Sequence, residues 1–372
     1  MRIGEFEFSL RELAGSMGDL GTLLPLAVGY VTVCGLDPTG LLVAIGLANV
    51  ATGLVYRLPM PLEPMKVLAV MAVADAWVPE KVYAAGFAMG AVWLLMGLTG
   101  AMTHVARWTP KTVVRGIQLS LGVLLAGKGL EMVSGWWVLG LASLLLVLLL
   151  REYRYAPAAL VLVGLGIVIM GLRGDLAALG TPHLSLPPLI GINPRLVWPA
   201  LRDGGLAQIP LTATNAVIAT SVLISEYWPH RRVTERQLSF NMGVMNLAAP
   251  FFGGMPMCHG AGGLAGQHYF GARTGGANII EGTIEIGLGL LLGGSIATLF
   301  ASFPAAVVGA MMLMVGVELF KFARKLRFDK NLLPVAATVA GSVAVNMAVG
   351  FIAGIILHYL LVGRPEGTDE SD

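Results

Sequence analysis

Apolar residues run along this chain in long stretches parted by short polar clusters. In the first half they fall at roughly 14–33, 40–56, 60–77, 83–105, 112–127, 136–150 and 157–172. In the second half they fall at 206–225, 239–253, 257–270, 278–301, 304–320, 332–347 and 349–362. About 20 apolar residues cross a bilayer as a helix, which satisfies its own backbone in lipid. The pattern predicts an all-α membrane protein of about 14 transmembrane segments, some too short to cross alone.

Two runs break and restart, one at Pro59–Met60 and one at Pro256–Met257. The surroundings recur as well. Gly46, Asn49, Ala51, Pro59 and Met60 return as Gly243, Asn246, Ala248, Pro256 and Met257 at a constant shift of 197. Pro110, Leu119 and Gly122 return as Pro304, Leu313 and Gly316 at a shift of 194. Two blocks nearly in register argue for duplication. Seven segments per copy make the copies inverted in the membrane. The first repeat is expected over 1–180 and the second over 206–372. The Pro-rich stretch 181–205 is expected to connect them. A discontinuous helix recurring in both halves points to a transporter's binding site.

Composition fits this reading. Hydrophobic residues make up 56% and charged residues 12%, against about 25% charged in soluble domains. Glycine is abundant at 49 residues, as close helix packing in lipid requires. The net charge of +2 carries no nucleic-acid signal. Cys34 and Cys258 lie in separate apolar runs and suggest no disulfide. Glu5, Glu7, Arg11 and Glu12 do not make a signal peptide. With the N-terminus in the cytoplasm, 18 of the 24 basic residues fall on the inner side, among them Arg57, Arg107, Arg115, Arg151, Arg154, Arg231, Arg273, Lys321, Arg324, Lys325, Arg327 and Arg364. The positive-inside rule therefore puts both termini in the cytoplasm.

A half-helix that starts at mid-membrane exposes N–H groups without intrahelical partners, and its end carries about half a positive elementary charge. Two such ends meeting make a site for a tetrahedral dianion without a buried arginine. Candidate binding residues are Pro59, Met60, Pro61, Glu63 and Lys66 at the first break. At the second they are Met257, Cys258, His259, Gly260, Ala261 and Gly262. Thr22 in the first segment and Thr212, Thr214 and Asn215 in the eighth offer hydroxyl and amide donors. Lys66 either adds positive potential beside the anion or is neutralised by Glu63 three residues earlier. His259 either donates to an oxyanion or packs to stabilise the turn. Asn49 and Asn246 are expected to hold the broken backbone. Asp19, Glu63 and Glu281 are coupling candidates, with Glu285 and Glu318 also in later spans. A Glu63 that lines the pocket and is protonated when the anion binds would couple transport to a proton.

The residues 59–66 and 254–267, with Gly18–Asp19–Leu20–Gly21–Thr22, Val114–Arg115–Gly116–Ile117–Gln118–Leu119 and Phe270–Gly271–Ala272–Arg273, resemble the motifs of the molybdate transporter family. That family is related to the sulfate permeases. The resemblance covers nearly the whole chain. It implies a core domain (segments 1–4 and 8–11) moving against a gate domain (5–7 and 12–14). The oxyanion would sit between segments 3 and 10, with Gln118 facing it from the gate. Two departures stand out. The family usually has Gln where this chain has Glu63. The cytoplasmic C-terminal regulatory domain common in sulfate permeases is not expected here.

No phosphate-binding loop, metal-spaced Cys/His cluster or nucleophile elbow occurs, so no enzyme activity and no cofactor are expected. The reading is a secondary transporter importing molybdate across the cytoplasmic membrane by alternating access. Sulfate, tungstate or another oxyanion on the same fold remains open, as do an anion channel and a homodimer. The lipid bilayer is the expected surrounding.

Overall fold

A computed structural model describes residues 2–102, 110–150, 158–178, 183–320, 330–345 and 347–363. Arg107, Arg151, Arg154, Lys321, Arg324, Lys325, Arg327 and Arg364, used above, lie outside the described residues.

The chain opens with a two-residue hairpin, β1 (Arg2–Ile3) antiparallel to β2 (Phe6–Glu7). Helix α1 (Leu10–Ser16) passes through a 3-10 turn (Met17–Asp19) into α2 (Leu20–Thr32). Then come α3 (Pro38–Tyr56), strand β3 (Glu63–Pro64), α4 (Lys66–Ala74), α5 (Pro79–Thr99), α6 (Lys111–Ser134), α7 (Trp137–Leu150) and α8 (Ala158–Arg173). A winding helical path follows. It runs from α9 (Pro194–Ala200) through a π-helical turn (Leu201–Gly205) to α10 (Leu206–Leu211). A second π-helical stretch (Thr212–Ile218) leads to α11 (Ala219–Tyr227). The rest comprises α12 (Glu235–Ala248), strand β4 (Met257–Cys258), α13 (Ala261–Phe270), α14 (Gly276–Ser302), α15 (Ala305–Phe320), α16 (Leu332–Ala344) and α17 (Met347–Leu361).

Local chemistry sets several boundaries. Pro38 opens α3 at its first turn, where the missing N–H loses nothing, and the Asp37 side chain accepts from Gly40 N–H at 2.7 Å. Arg57 ends that helix in the left-handed region at φ 56°. Thr234 and Gln237 form a reciprocal capping box at the start of α12. Two expectations change here. Helix α9 begins at Pro194, inside the expected 181–205 connection, because Asn193 caps it and Pro194 suits its first turn. The chain is also not purely helical, since two short strand pairs interrupt it. Three helices among the described residues are long and apolar enough to cross a membrane, at 38–56, 79–99 and 276–296. The bent pair 194–211 and 215–227, with a bend of 42°, makes a fourth.

Glycines let the longest helices approach closely. Helix α3 packs against α14 with Gly46 opposite the Gly282 carbonyl. Helix α5 packs against α12 through Gly90, Gly97 and Gly243, and α6 against α15 through Gly129 and Gly309. Helix α4 lies within this frame, with Val67 to Val73 all buried. A helix apolar on every side belongs inside a larger protein.

The N-terminal segment is tied down by carboxylates. Glu12 accepts from the backbone N–H groups of Arg273 and Thr274 and from the Thr274 hydroxyl. Glu5 bridges Arg57 and Arg231, each at 2.8 Å. The Arg57 and Arg231 guanidinium groups hold the exposed Glu5 carboxyl below the usual carboxylate range. A depressed carboxyl stabilises above its unfolded value and loses that contribution as pH falls through its folded value. Amide exchange in residues 2–7 should therefore rise as the pH drops below about 4. Replacing Glu5 with Gln should raise it already at neutral pH.

The glycine contacts give a second test. A methyl at Gly90 would lie 2.5 Å from the Leu247 amide nitrogen, whereas one at Gly127 meets nothing within 4 Å. Gly90→Ala should cost about 1–3 kcal/mol through overpacking, and Gly127→Ala should be neutral or mildly stabilising. Thermal unfolding of the purified variants checks both.

Candidate functional site

The two breaks lie side by side. Strands β3 and β4 pair antiparallel, with Glu63 opposite Cys258 and Pro64 opposite Met257. Met65 N–H extends the ladder by donating to the Pro256 carbonyl at 2.9 Å. Extended chain in an apolar interior must pair its backbone groups, and here each break supplies partners for the other. Helix α4 starts directly after one strand and α13 shortly after the other. Neither N-cap, Met65 nor Gly260, has a side-chain hydrogen bond to offer.

Two asparagines clamp the remaining backbone. Asn246 donates to the Met257 carbonyl at 2.6 Å and accepts from Met257 N–H at 2.9 Å. At the first break the same two bonds come from Asn278, at 2.6 Å to the Met60 carbonyl and 2.8 Å from Met60 N–H. Asn49 was expected in that role and stands one step behind it. It accepts from Asn278 at 2.8 Å and donates to Glu285 at 2.8 Å. The close crossing of α3 and α14 carries Asn278 to the break, which spacing along the chain does not reveal.

Glu63 and Lys66 form an ion pair at 2.5 Å, with their side chains 2% and 18% exposed. The Glu63 carboxylate also rests on the start of α13. A Cβ built at Gly260 would lie 2.7 Å from one of its oxygens, and one at Gly263 would run into the other. Gly262, between them, faces open space. Gln208 of α10 accepts from Val67 N–H at 2.8 Å, so one first-turn donor of α4 is already taken, and its amide donates to Thr212 at 2.6 Å. Thr212 thus supports Gln208.

His259 is fully buried. Its Nδ1 lies 3.2 Å from the Pro61 carbonyl and its Nε2 3.1 Å from the Asn241 side chain. Both ring nitrogens are engaged within the protein, and the ring meets Tyr56 edge-on. His259 therefore ties the second break to the first. Asp19 accepts from Gln267 of α13 at 3.1 Å, and its carboxyl adjoins that of the buried Glu281. Pro59, Met60, Pro61, Met257 and Cys258 are buried within the paired breaks; Ala261 and Gly262 begin α13. Thr22 is half-buried on α2, and Asn215 is half-buried in the second π-helical stretch. Thr214 shares that stretch and Gln118 lies on α6, but their side chains, like that of Glu318, lie outside the described ones. Sequence reasoning missed Gln208, Asn241, Gln267 and Asn278. The available signal was an amide side chain amid apolar positions, with nothing local to say what it meets.

The arrangement joins two helix N-termini, a lysine and glycine-lined space. Helix N-termini and a cation favour negative charge.

A family model described as molybdate transporter of MFS superfamily matches residues 11–125 and 200–319. The chain belongs to this family. Molybdate transporter 1 of Arabidopsis thaliana is 31% identical, over 97% of this chain and 90% of that protein. Among solved structures, SLC26A9 superposes with a TM-score of 0.73 at 13% identity, over 95% of this chain and 65% of that one. This chain thus spans about two thirds of SLC26A9. The transmembrane domain of a cyanobacterium bicarbonate transporter, BicA, superposes with a TM-score of 0.67 at 18% identity, over 93% and 97%. The fold is that of these transporters, and the chain is a multi-pass membrane protein.

The amide clamps give a direct test. Asn278→Ala and Asn246→Ala each orphan an N–H and a carbonyl, at about 1–3 kcal/mol per buried group. Both variants should melt well below the parent protein in detergent. Unchanged melting would mean that the clamps are not structural.

Proposed function

We propose that this chain imports molybdate across the cytoplasmic membrane as a secondary transporter, with the oxyanion held between the starts of α4 and α13. The observation that carries this is the β3–β4 pairing, which draws together two half-helix N-termini beside Lys66. Two helix ends and Lys66, once freed from its pairing with Glu63, would balance a dianion. Membership of a family described as molybdate transporters chooses molybdate among the tetrahedral dianions.

Fourteen segments in two inverted repeats, 1–180 and 206–372, are part of this reading. The packing supports it. An inverted pairing of copies relates α3 with α14 to α12 with α5, and both pairs are in contact. It also relates α6 to α15 and β3 to β4, again in contact. In the proposed motion, α2 to α5 and α9 to α14 form a core that carries the site. Helices α6 to α8 and α15 to α17 form the gate, with Gln118 on the gate side. The remaining candidates, Thr22, Thr214 and Asn215, complete the proposed lining, and Asp19, Glu63 and Glu281 are the proposed coupling groups.

Proteoliposomes loaded with the purified chain should take up radiolabelled molybdate saturably. Unlabelled tungstate should compete more strongly than sulfate. Sulfate competing better than molybdate at equal concentration would assign the site to sulfate instead. Conductance without saturable exchange would make the protein a channel.

A further inference from the structure

Glu63 stands where an anion would. Its oxygens lie on Gly260 and Gly263 at the first turn of α13, and its partner Lys66 opens α4. These are the groups that the proposed reading assigns to the substrate. A carboxylate shares the charge and planar oxygens of an oxyanion edge, and this one, bonded to Lys66, packs against the start of α13 where negative charge is favoured. Gln at this position would leave that end without a charge.

We propose that the Glu63 carboxylate is a tethered occupant of the oxyanion cradle, and that a dianion binds only when this carboxylate takes up a proton. The inference rests on the proposed site between α4 and α13. The proton comes from solvent and no covalent bond changes. Protonation removes the charge that repels the dianion. It also releases Lys66 from its ion pair, so the ammonium turns to the substrate, and the new carboxyl O–H becomes a donor.

The titratable groups around Glu63 are few. Lys66 of α4 pairs with it, and Cys258 lies opposite it across the ladder. His259 follows, with both ring nitrogens engaged, and Tyr30 of α2 lies near Cys258. Asp19 lies beyond, held by Gln267 and adjoining Glu281, and Glu285 is bound to Asn49. Of these carboxylates, Glu63 is the one whose oxygens touch the glycines of the second break.

Calorimetric titration of the purified full chain with molybdate tests this, run in buffers of different ionisation enthalpy across a pH series. The parent protein should take up about one proton per molybdate, and its affinity should fall about tenfold per pH unit over the alkaline arm. Glu63→Gln should bind without proton uptake, with flat pH dependence and more tightly than the parent at high pH. Molybdate binding by the parent without proton uptake overturns the proposal and needs no variant. So does a Glu63→Gln protein, melting like the parent, that takes up the same proton. Absence of molybdate binding in both overturns the site reading itself, a result distinct from either.

Discussion

The structure depends on satisfying backbone where two helices are interrupted inside an apolar interior. Each unpaired N–H or carbonyl there costs several kcal/mol. The two breaks meet this constraint largely through each other, by the β3–β4 ladder and the Met65 to Pro256 bond. Asn246 and Asn278 satisfy Met257 and Met60, and His259 reaches across to Pro61. The starts of α4 and α13 lie directly beside this paired backbone, and neither N-cap has a side-chain hydrogen bond. Structural necessity and the proposed anion site therefore share one place.

The charges around that place follow the same logic. Lys66 and Glu63 form a pair of low exposure, and such pairs contribute little to stability once desolvation is counted. Their position at the helix starts accords with the proposed anion site more than with a contribution to folding. Behind them, the buried Asp19 and Glu285 reach the breaks through amides, Asp19 by Gln267 on α13 and Glu285 by Asn49 and Asn278. A change of charge at these carboxylates would be felt by the two half-helices through short hydrogen-bonded paths.

Close glycine contacts between α3 and α14 and between α5 and α12 hold this site in a stiff frame. Helices α6 and α15 make their own close crossing beside it, and α16 packs on α17. The hairpin and Glu12 fasten the N-terminal segment onto the loop after α13. A proposed motion of one group against the other then keeps each close crossing intact, because glycine-to-backbone contacts tolerate little sliding.

Much of this was legible in the chain itself. Apolar runs marked the helices, since lipid and buried core both demand continuous apolar length. Proline and its repeated surroundings marked both breaks, and the lack of local partners there implied an anion. The i, i+3 spacing of Glu63 and Lys66 allowed their pairing without choosing it over a free Lys66, and the structure shows the pair. Tertiary structure alone decided which amide serves which break. Asn278 displaced Asn49 because two helices distant in sequence cross at glycines, and Gln208 caps Val67 from a helix on the far side of the chain. It alone decided that Glu63 lies on Gly260 and Gly263. Periodicity and composition report what each segment prefers. Which polar group meets which across the fold depends on crossing geometry that no local pattern encodes.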